Sequence, residues 1–392
     1  MNFINDFITL TSEYESPTSF WRWSAYAVVA ATLRNNAYIQ AGLKRYYPNI
    51  YVVLLADSAE YRKSGGPVMA TSLLNEAGKT KIFSGRNSIQ KILQNLSQDK
   101  PSAYSNGITV KGGGAILIAE ELASFFVEDP QCVPILTDIY DFRENYEYGL
   151  KSETVTIKNL CITMLAASNE TFLKEVYDNR AVYGGLLGRT FMIKPDERRE
   201  GNSLLRIAKE KCDKQGILED LKKIGSLSGP FILEENAIAF YEKWYKKLYT
   251  SYSKIKDRTG VTHRIHAGVL KIAMVLAASR GSLTITYEDV EEAIVQTTSL
   301  RANYEAYAMS SGKGTQAAAG AILLNALFDA PDYKMERKQV LLDHWHQITS
   351  EELDKLVETL TQAGMIAVIS NAPRIFYQMT PKCLEIFNKQ ES

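Results

Sequence analysis

Lys63 and Ser64 are the residues whose types and positions most directly indicate chemistry. They follow a strand predicted over 50–55, six apolar or aromatic residues in a row, which is typical of a strand buried on both faces of a parallel sheet. A helix is predicted directly after them. In this context a lysine followed by a hydroxyl residue ends a phosphate-binding loop, in which backbone N–H groups and the helix N-terminus hold phosphate. The pattern predicts ATP and Mg²⁺ as ligands, with Lys63 and Ser64 binding nucleotide and Ser64 also helping to hold the metal.

The loop departs from the usual pattern G-x-x-x-x-G-K-S/T. Asp57 and Arg62 occupy the two glycine positions, and Gly65 and Gly66 follow the lysine, before Pro67. The missing glycines make a tight wrap around phosphate harder, because close approach and positive φ favour glycine. Proline is compatible with the first turn of the helix. The alternative interpretation is an ordinary exposed loop.

Two glutamates, Glu120 and Glu121, follow a second apolar strand, predicted over 115–119. In open α/β sheets the ligand binds at the carboxyl ends of the strands. Carboxylates at this place suit Mg²⁺ binding and the activation of water, so we assign Glu120 to the metal and Glu121 to general base catalysis. The alternative is that the pair begins a helix, where acidic residues interact favourably with the helix dipole.

An asparagine and an arginine complete the set of candidate catalytic residues. Asn169 follows a strand predicted over 160–167, where its amide would orient the attacking water or contact the γ-phosphate, although such an asparagine is usually a turn residue. Arg189 precedes a short strand over 190–193 and would act on the nucleotide of a neighbouring subunit as an arginine finger. Arg180 is an equal candidate for that role, and either arginine could instead form a structural ion pair.

Taken in order, these motifs resemble those of the AAA+ ATPases, and more narrowly the helicase-like ATPase domains of phage and mobile-element replication proteins. The resemblance covers about residues 16–300, and the segments that carry it are 48–64, 115–122, 163–169 and 184–189. It implies an α/β fold with an AAA+-like P-loop core, ATP-driven unwinding of DNA, and assembly as a ring, usually a hexamer. It also implies a helical lid, in which Arg264 would contact nucleotide as a sensor-2 type arginine.

Composition restricts the class of protein. The 392 residues are 45% hydrophobic and 23% charged, with 45 basic and 45 acidic residues, as in an ordinary soluble globular chain of about two or three domains. The balanced charge argues against a polybasic binder but leaves room for a local basic groove. Four scattered cysteines without a C-x-x-C pair predict reduced thiols and a cytoplasmic location. We expect no signal peptide and no membrane partner.

The remaining patterns predict the order of domains. We expect an N-terminal helical segment, an ATPase core, a helical lid region, a linker and a winged-helix domain, over residues 1–45, 46–195, 196–309, 310–320 and 321–392 respectively.

Several local predictions belong to this scheme. The stretch 97–114 is expected to be a loop or hairpin, in which Lys100 or Lys111 could contact DNA, and 122–150 is expected to be mostly helical. Ser88 and Thr286 are predicted helix N-caps. The third helix of the last domain is acidic, which is a poor match to a reader of the DNA major groove. We therefore expect that domain to bind either protein, or DNA through Arg374 and its neighbours.

Two functions are compatible with these patterns. The first is an ATP-dependent DNA helicase, translocase or helicase loader of mobile-element replication, which acts as a ring on single-stranded or forked DNA together with a replication partner protein. The second is a catalytically inactive AAA+-like scaffold that binds DNA or a replication partner without ATP hydrolysis. Asp57 and Arg62 in the loop favour the second.

Overall fold

The computed structural model describes most of the chain, in two compact units over residues 1–308 and 309–392. The described residues are 2–57, 60–85, 87–99, 102–103, 109–110, 112–122, 131–149, 154–170, 185–202, 214–252, 260–300, 303–304, 315–344 and 348–388. Lys100, Lys111 and Arg180, predicted to contact DNA or nucleotide, lie outside these residues.

The helices of the first unit are α1 (Phe3–Leu10), α2 (Thr18–Leu33), α3 (Gly65–Ala77), α4 (Ile89–Ser97), α5 (Cys132–Asp138), α6 (Lys214–Gly225), α7 (Glu235–Tyr252), α8 (Val261–Ser279) and α9 (Tyr287–Thr298). Its strands are β1 (Ala37–Ala41), β2 (Lys44–Tyr46), β3 (Tyr51–Leu55), β4 (Lys81–Ser84), β5 (Ser102–Ala103), β6 (Thr109–Val110), β7 (Gly114–Ala119), β8 (Arg143–Gly149), β9 (Thr154–Ser168), β10 (Thr190–Ile193), β11 (Gly229–Pro230), β12 (Ile232–Leu233) and β13 (Thr284–Ile285).

A parallel sheet forms the centre of the first unit, with the strand order β10-β3-β9-β7-β4. This confirms the predicted α/β class. Strands β3, β7 and β10 are buried along their whole length, and so is the second half of β9, which explains why their sequences are continuous apolar runs.

Helix α2 is a core helix that packs against the central sheet. It packs against α3, α6, α8 and β9, and nearly all of its side chains are buried. The helix ends at Leu33, because Arg34 has a φ of 53°. The segment after it, which was predicted to continue the helix, forms the β1–β2 hairpin.

The region before β9 differs from the prediction of a mostly helical segment. Only α5 is helical among its described residues, and β8 pairs antiparallel with the first half of β9. Strand β9 is 15 residues long, with Asn159 at a φ of 55°. It therefore begins six residues before the strand predicted over 160–167. The short antiparallel pair β5–β6 agrees with the prediction of a loop or hairpin within 97–114.

Two helix caps form at the residues predicted from the sequence. The hydroxyl of Ser88 accepts the backbone N–H of Lys91 at the start of α4. Thr286 and Asp289 form a complete capping box at the start of α9. Helix α8 is long and apolar enough to cross a membrane, but 67% of its apolar window is buried inside the fold, as in a core helix.

The second unit has its own core. Its elements are α10 (Thr315–Asp329), β14 (Lys334–Glu336), α11 (Arg337–His344), α12 (Ser350–Gln362), β15 (Ile366–Asn371), β16 (Arg374–Met379) and α13 (Pro381–Asn388). The three strands form an antiparallel sheet in the order β14-β16-β15. Leu323, Leu327, Leu353 and Tyr377 are among the buried residues between this sheet and the helices.

Candidate functional site

The carboxyl edge of the parallel sheet brings three of the predicted motifs together. The strand that ends before Asn169 lies directly between the strand that leads to Lys63 and the strand that ends before Glu120. The register aligns the three ends, since Leu55 pairs with Ser168 and Ala119 pairs with Ala166. The motifs therefore share one edge of the sheet, where open α/β sheets bind their ligands.

Lys63 lies at the end of the loop that follows β3. The side chain is only 8% exposed, and its Nζ donates a hydrogen bond to the carbonyl oxygen of Ala56 at 3.0 Å. The lysine thus connects the two ends of its own loop. Ser64 is the half-buried N-cap residue of α3. The positive end of the α3 dipole therefore lies directly after the lysine in the chain.

Arg62 adopts a backbone conformation that suits glycine. Its φ is +48°, in the left-handed region, although the side chain is an arginine. Its carbonyl oxygen accepts the N–H of Gly65 at 2.9 Å and the hydroxyl of Ser16 at 2.9 Å. The pattern position that usually holds the second glycine therefore keeps a positive φ without the glycine.

The two glycines after the lysine have a packing role that sequence reasoning missed. A Cβ atom on Gly65 would lie 2.9 Å from the Trp21 ring and 3.1 Å from the Ser16 hydroxyl. One on Gly66 would overlap the hydroxyl of Ser24. These glycines let the first turn of α3 contact α2 closely, a requirement between distant residues that local sequence does not reveal.

Glu120 and Glu121 line an open cavity of about 370 Å³ beside α3. Glu120 is exposed and Glu121 is half-buried, and Val68 and Thr71 of α3 form the facing wall. The N–H of Leu122 donates to the carbonyl oxygen of Ala167 at 2.8 Å, which holds the glutamate segment against β9. The cavity is therefore acidic on the sheet side and adjoins the helix that Ser64 begins.

Asn169 is half-buried at the end of β9, between the other two motifs. The next residue, Glu170, forms an ion pair with Lys194 at 2.8 Å. This contact ties the end of β9 to the residue that follows β10. Asn169 is thereby held at the middle of the edge, where an amide suits the orientation of a water molecule.

Arg189 lies at the opposite, amino edge of the sheet. It ends a short 3-10 turn directly before β10, whose first residue, Thr190, pairs with the first residue of β3, Tyr51. Its Nη1 donates to the carbonyl oxygen of Gly185 at 2.9 Å, and its Nη2 lies 3.9 Å from a carboxylate oxygen of Asp141. Arg189 is thus separated from Lys63 by the length of β3.

Arg264 lies beside Arg189 and not beside Lys63. A Cβ on Gly185 would lie 2.9 Å from Arg189 Nη1 and 3.5 Å from Arg264 Nη2, and both arginines line a cavity of about 110 Å³. The five residues of β3 span about 16 Å, which exceeds the reach of an arginine side chain. Contact between Arg264 and nucleotide in the same chain is therefore not supported by this placement.

A buried polar group near the amino edge was missed by sequence reasoning. Lys271 of α8 is 3% exposed, and its Nζ donates to the backbone oxygen of Asn49 at 2.7 Å and to its side-chain oxygen at 2.9 Å. The amide of Asn49 in turn donates to the carbonyl oxygen of Tyr140 at 2.7 Å. Burial lowers the pKa of Lys271 to about 8. This network joins α8 to the start of β3.

The carboxyl edge carries oxygen donors of the kind that Mg²⁺ prefers. Ser64 and Glu120 are the predicted ligands. Among the described residues, no group of three or more His, Cys, Asp or Glu side chains could hold a metal. Mg²⁺ is commonly bound by one or two protein oxygens together with phosphates and water, so this donor set fits it.

Comparison with known proteins identifies no relative of this chain. No protein-family model matches the chain, and no curated protein matches it.

Proposed function

We propose that the chain is an AAA+-type ATPase with a P-loop core, which uses ATP hydrolysis to move or unwind DNA during mobile-element replication. One observation carries the proposal. The central sheet places the Lys63-Ser64 loop, Glu121 and Asn169 on adjacent strand ends at one edge. These residues come from three distant parts of the sequence, and their assembly is what the motif order requires.

The residues take the following roles in the proposed reaction. Lys63 and the N-terminus of α3 would bind the phosphates, and Ser64 and Glu120 would hold Mg²⁺, which would supply positive charge for phosphoryl transfer. Glu121 accepts a proton from the attacking water, and Asn169 orients that water. The half-buried position of Glu121 beside the cavity wall of α3 suits a base that contacts a water molecule.

The placement of the arginines fits a reaction that two subunits complete. Arg189 is at the edge opposite to Lys63, so it would act on the nucleotide of a neighbouring subunit. Arg264 is at the same edge, and any contact of this residue with nucleotide would also be made between subunits. A homo-oligomeric ring, a hexamer by the family resemblance, satisfies both requirements.

The second unit is the part of the chain to which we assign the binding of nucleic acid or of a partner protein. Its order of helix, strand, two helices, two paired strands and a last helix is compatible with the winged-helix domain that we propose. Helix α12 carries Asp354, which pairs with Arg337 at 2.9 Å, and it is otherwise acidic. DNA contact is therefore better assigned to the exposed Arg374 in the hairpin than to this helix. Binding of a replication partner by the same domain is the alternative.

A catalytically inactive scaffold is the second candidate function. It is favoured by Asp57, which is exposed in the loop where a phosphate would approach, and by the hydrogen bond that directs Lys63 back to Ala56. Such a protein would keep the fold and its DNA or protein partner but would not hydrolyse ATP.

Phosphate release from ATP distinguishes the two functions. The measurement compares wild type, Glu121→Gln and Lys63→Ala, with and without single-stranded DNA. The motor function predicts hydrolysis that DNA stimulates, a loss of at least about 100-fold in Glu121→Gln with retained nucleotide binding, and loss of binding in Lys63→Ala. Lys91→Ala, at an exposed lysine of α4, is the control and should match wild type. Wild type that never releases phosphate would support the scaffold.

A further inference from the structure

The positive φ of Arg62 is stabilised by a segment far away in the sequence. The loop between α1 and α2 contributes Glu15, whose Oε2 accepts the Nε of Arg62 at 2.8 Å, and Ser16, whose hydroxyl donates to the Arg62 carbonyl oxygen at 2.9 Å. The side chain and the backbone of Arg62 are therefore both held. Residues other than glycine adopt this conformation at a cost in free energy, so such contacts are needed to populate it.

Glu15 is itself fixed from a third segment. Its Oε1 accepts the backbone N–H of Asn202 at 2.9 Å, and the amide of Asn202 donates to the carbonyl oxygen of Glu13 at 3.0 Å. In the same region the guanidinium of Arg199 donates to the carbonyl oxygens of Thr11 and Tyr14, each at 3.2 Å. The side chain of Glu15 is 22% exposed, whereas that of Arg62 is 67% exposed. The carboxylate is thus the anchored member of the pair, and both of its oxygens are used.

The conformation of Arg62 bears directly on phosphate binding. A residue in the left-handed region next to right-handed residues turns successive backbone N–H groups to one side, and this makes a concavity that binds anions. Arg62 has a φ of +48°, and two residues later Ser64 is right-handed with φ −68° and ψ −16°. The start of the lysine loop therefore changes hand within three residues, and loss of the positive φ at Arg62 would remove this turn of the backbone.

We propose that Glu15 is a positioning residue for the phosphate-binding loop: its carboxylate holds Arg62 in the backbone conformation that a glycine would otherwise provide. This inference rests on the proposed nucleotide site. The hydrogen bond from Arg62 also lowers the pKa of Glu15, so the carboxylate is ionised and able to accept both bonds at neutral pH.

The test uses Glu15→Gln, Arg62→Gly and the double variant, with affinity for a fluorescent ATP analogue and Mg²⁺ as the readout. In the carboxylate, one oxygen accepts from Arg62 and the other from Asn202. Glutamine replaces one of these two oxygens with an NH₂ donor, so one of the two hydrogen bonds is lost at its present position. We expect Glu15→Gln to bind nucleotide about tenfold more weakly than wild type. Arg62→Gly should bind at least as well as wild type, and the double variant should match Arg62→Gly within about twofold, because glycine adopts positive φ without help.

The double variant distinguishes a role of Glu15 in positioning the loop from a role in the stability of the whole fold. If Glu15 acted only on folding, the double variant would bind as weakly as Glu15→Gln, and the inference would be overturned. Glu13→Gln removes the same charge from the same loop without a bond to Arg62, and it should retain wild-type affinity. Equal affinities of wild type and Glu15→Gln would also overturn the inference. Wild type that binds no nucleotide would overturn the proposed function itself, and the inference with it.

Discussion

At the scale of single residues, Lys271 shows how a buried charge is accommodated. Its ammonium group is surrounded by the core, with the oxygens of Asn49 as hydrogen-bond acceptors and the ring of Tyr140 centred 4.3 Å away. Burial disfavours the charged form, which is why the pKa falls from 10.5 to about 8. The hydrogen bonds and the cation–π contact offset only part of that penalty.

This lowered pKa predicts how stability depends on pH. Between about pH 8 and 10.5 the unfolded chain keeps a proton on Lys271 that the folded chain has lost, so the contribution of this group to stability rises with pH. The full rise is roughly 3 kcal/mol. Denaturant unfolding of wild type and Lys271→Met across pH 7–10 should show the rise in wild type alone.

The neighbouring thiol acts in the opposite direction. Burial raises the pKa of Cys161 from 9.0 to about 12, so above about pH 9 the unfolded chain loses a proton that the folded chain keeps, and stability falls. Both proteins contain Cys161, so subtracting the two profiles removes the shared contribution of the thiol and leaves that of the lysine together with its electrostatic effect on the thiol. A flat difference between pH 8 and 10 would contradict the assignment.

At the scale of elements, the close contact between α2 and α3 depends on the absence of a Cβ atom at Gly65 and at Gly66. A Cβ at Gly66 would overlap the Ser24 hydroxyl, and its next neighbour would be a Leu54 methyl group at 3.1 Å. We therefore predict that Gly66→Ala lowers the free energy of unfolding by about 1–3 kcal/mol. Ser24→Ala should restore most of this loss in the double variant, since the remaining contacts can relax. Equal stability of the single and double variants in urea unfolding would contradict this account.

The elements that sequence predicted best are those with a local signal. The strands predicted over 50–55 and 115–119 are continuous apolar runs, and the caps Ser88 and Thr286 are local hydrogen-bonding residues. Strand β8 was missed because its sequence, RENYEYG, is polar and mostly exposed, and its structure comes from pairing with β9. The β-propensity of a segment predicts a strand poorly where pairing with a neighbouring strand determines the structure.

The candidate site shows the same limit. Sequence order identified Lys63, Glu121 and Asn169, since each follows an apolar strand. It did not reveal that β9 lies between the other two strands, because strand order is set by non-local pairing. It also did not reveal the contact between Glu15 and Arg62, which lie 47 positions apart. Local sequence patterns thus identified the candidate residues. The non-local pairing of strands determined which of these residues lie at the same edge of the sheet.

At the scale of the whole molecule, each of the two units buries its own apolar core. Leu327 in α10 is completely buried in the second unit, so Leu327→Ala should lower the free energy of unfolding of that unit by about 2–5 kcal/mol. Because the cores are separate, calorimetry should show a lower melting temperature for this unit only. Leu342→Ala, at a leucine that is 59% exposed in the same unit, is the matched control. A parallel shift of the first unit would contradict the independence of the cores.

The direction of the central sheet has a consequence for symmetry. Lys63 and Glu121 lie at one edge and Arg189 at the other, so a contact in which Arg189 serves a neighbour's nucleotide joins two unlike surfaces. Such a heterologous contact excludes a two-fold axis between the two copies. Repeated, it either closes into a cyclic ring or continues as an open filament. The rotation between neighbours would then decide the number of subunits, and the chemistry at each nucleotide would be the same in every ring size.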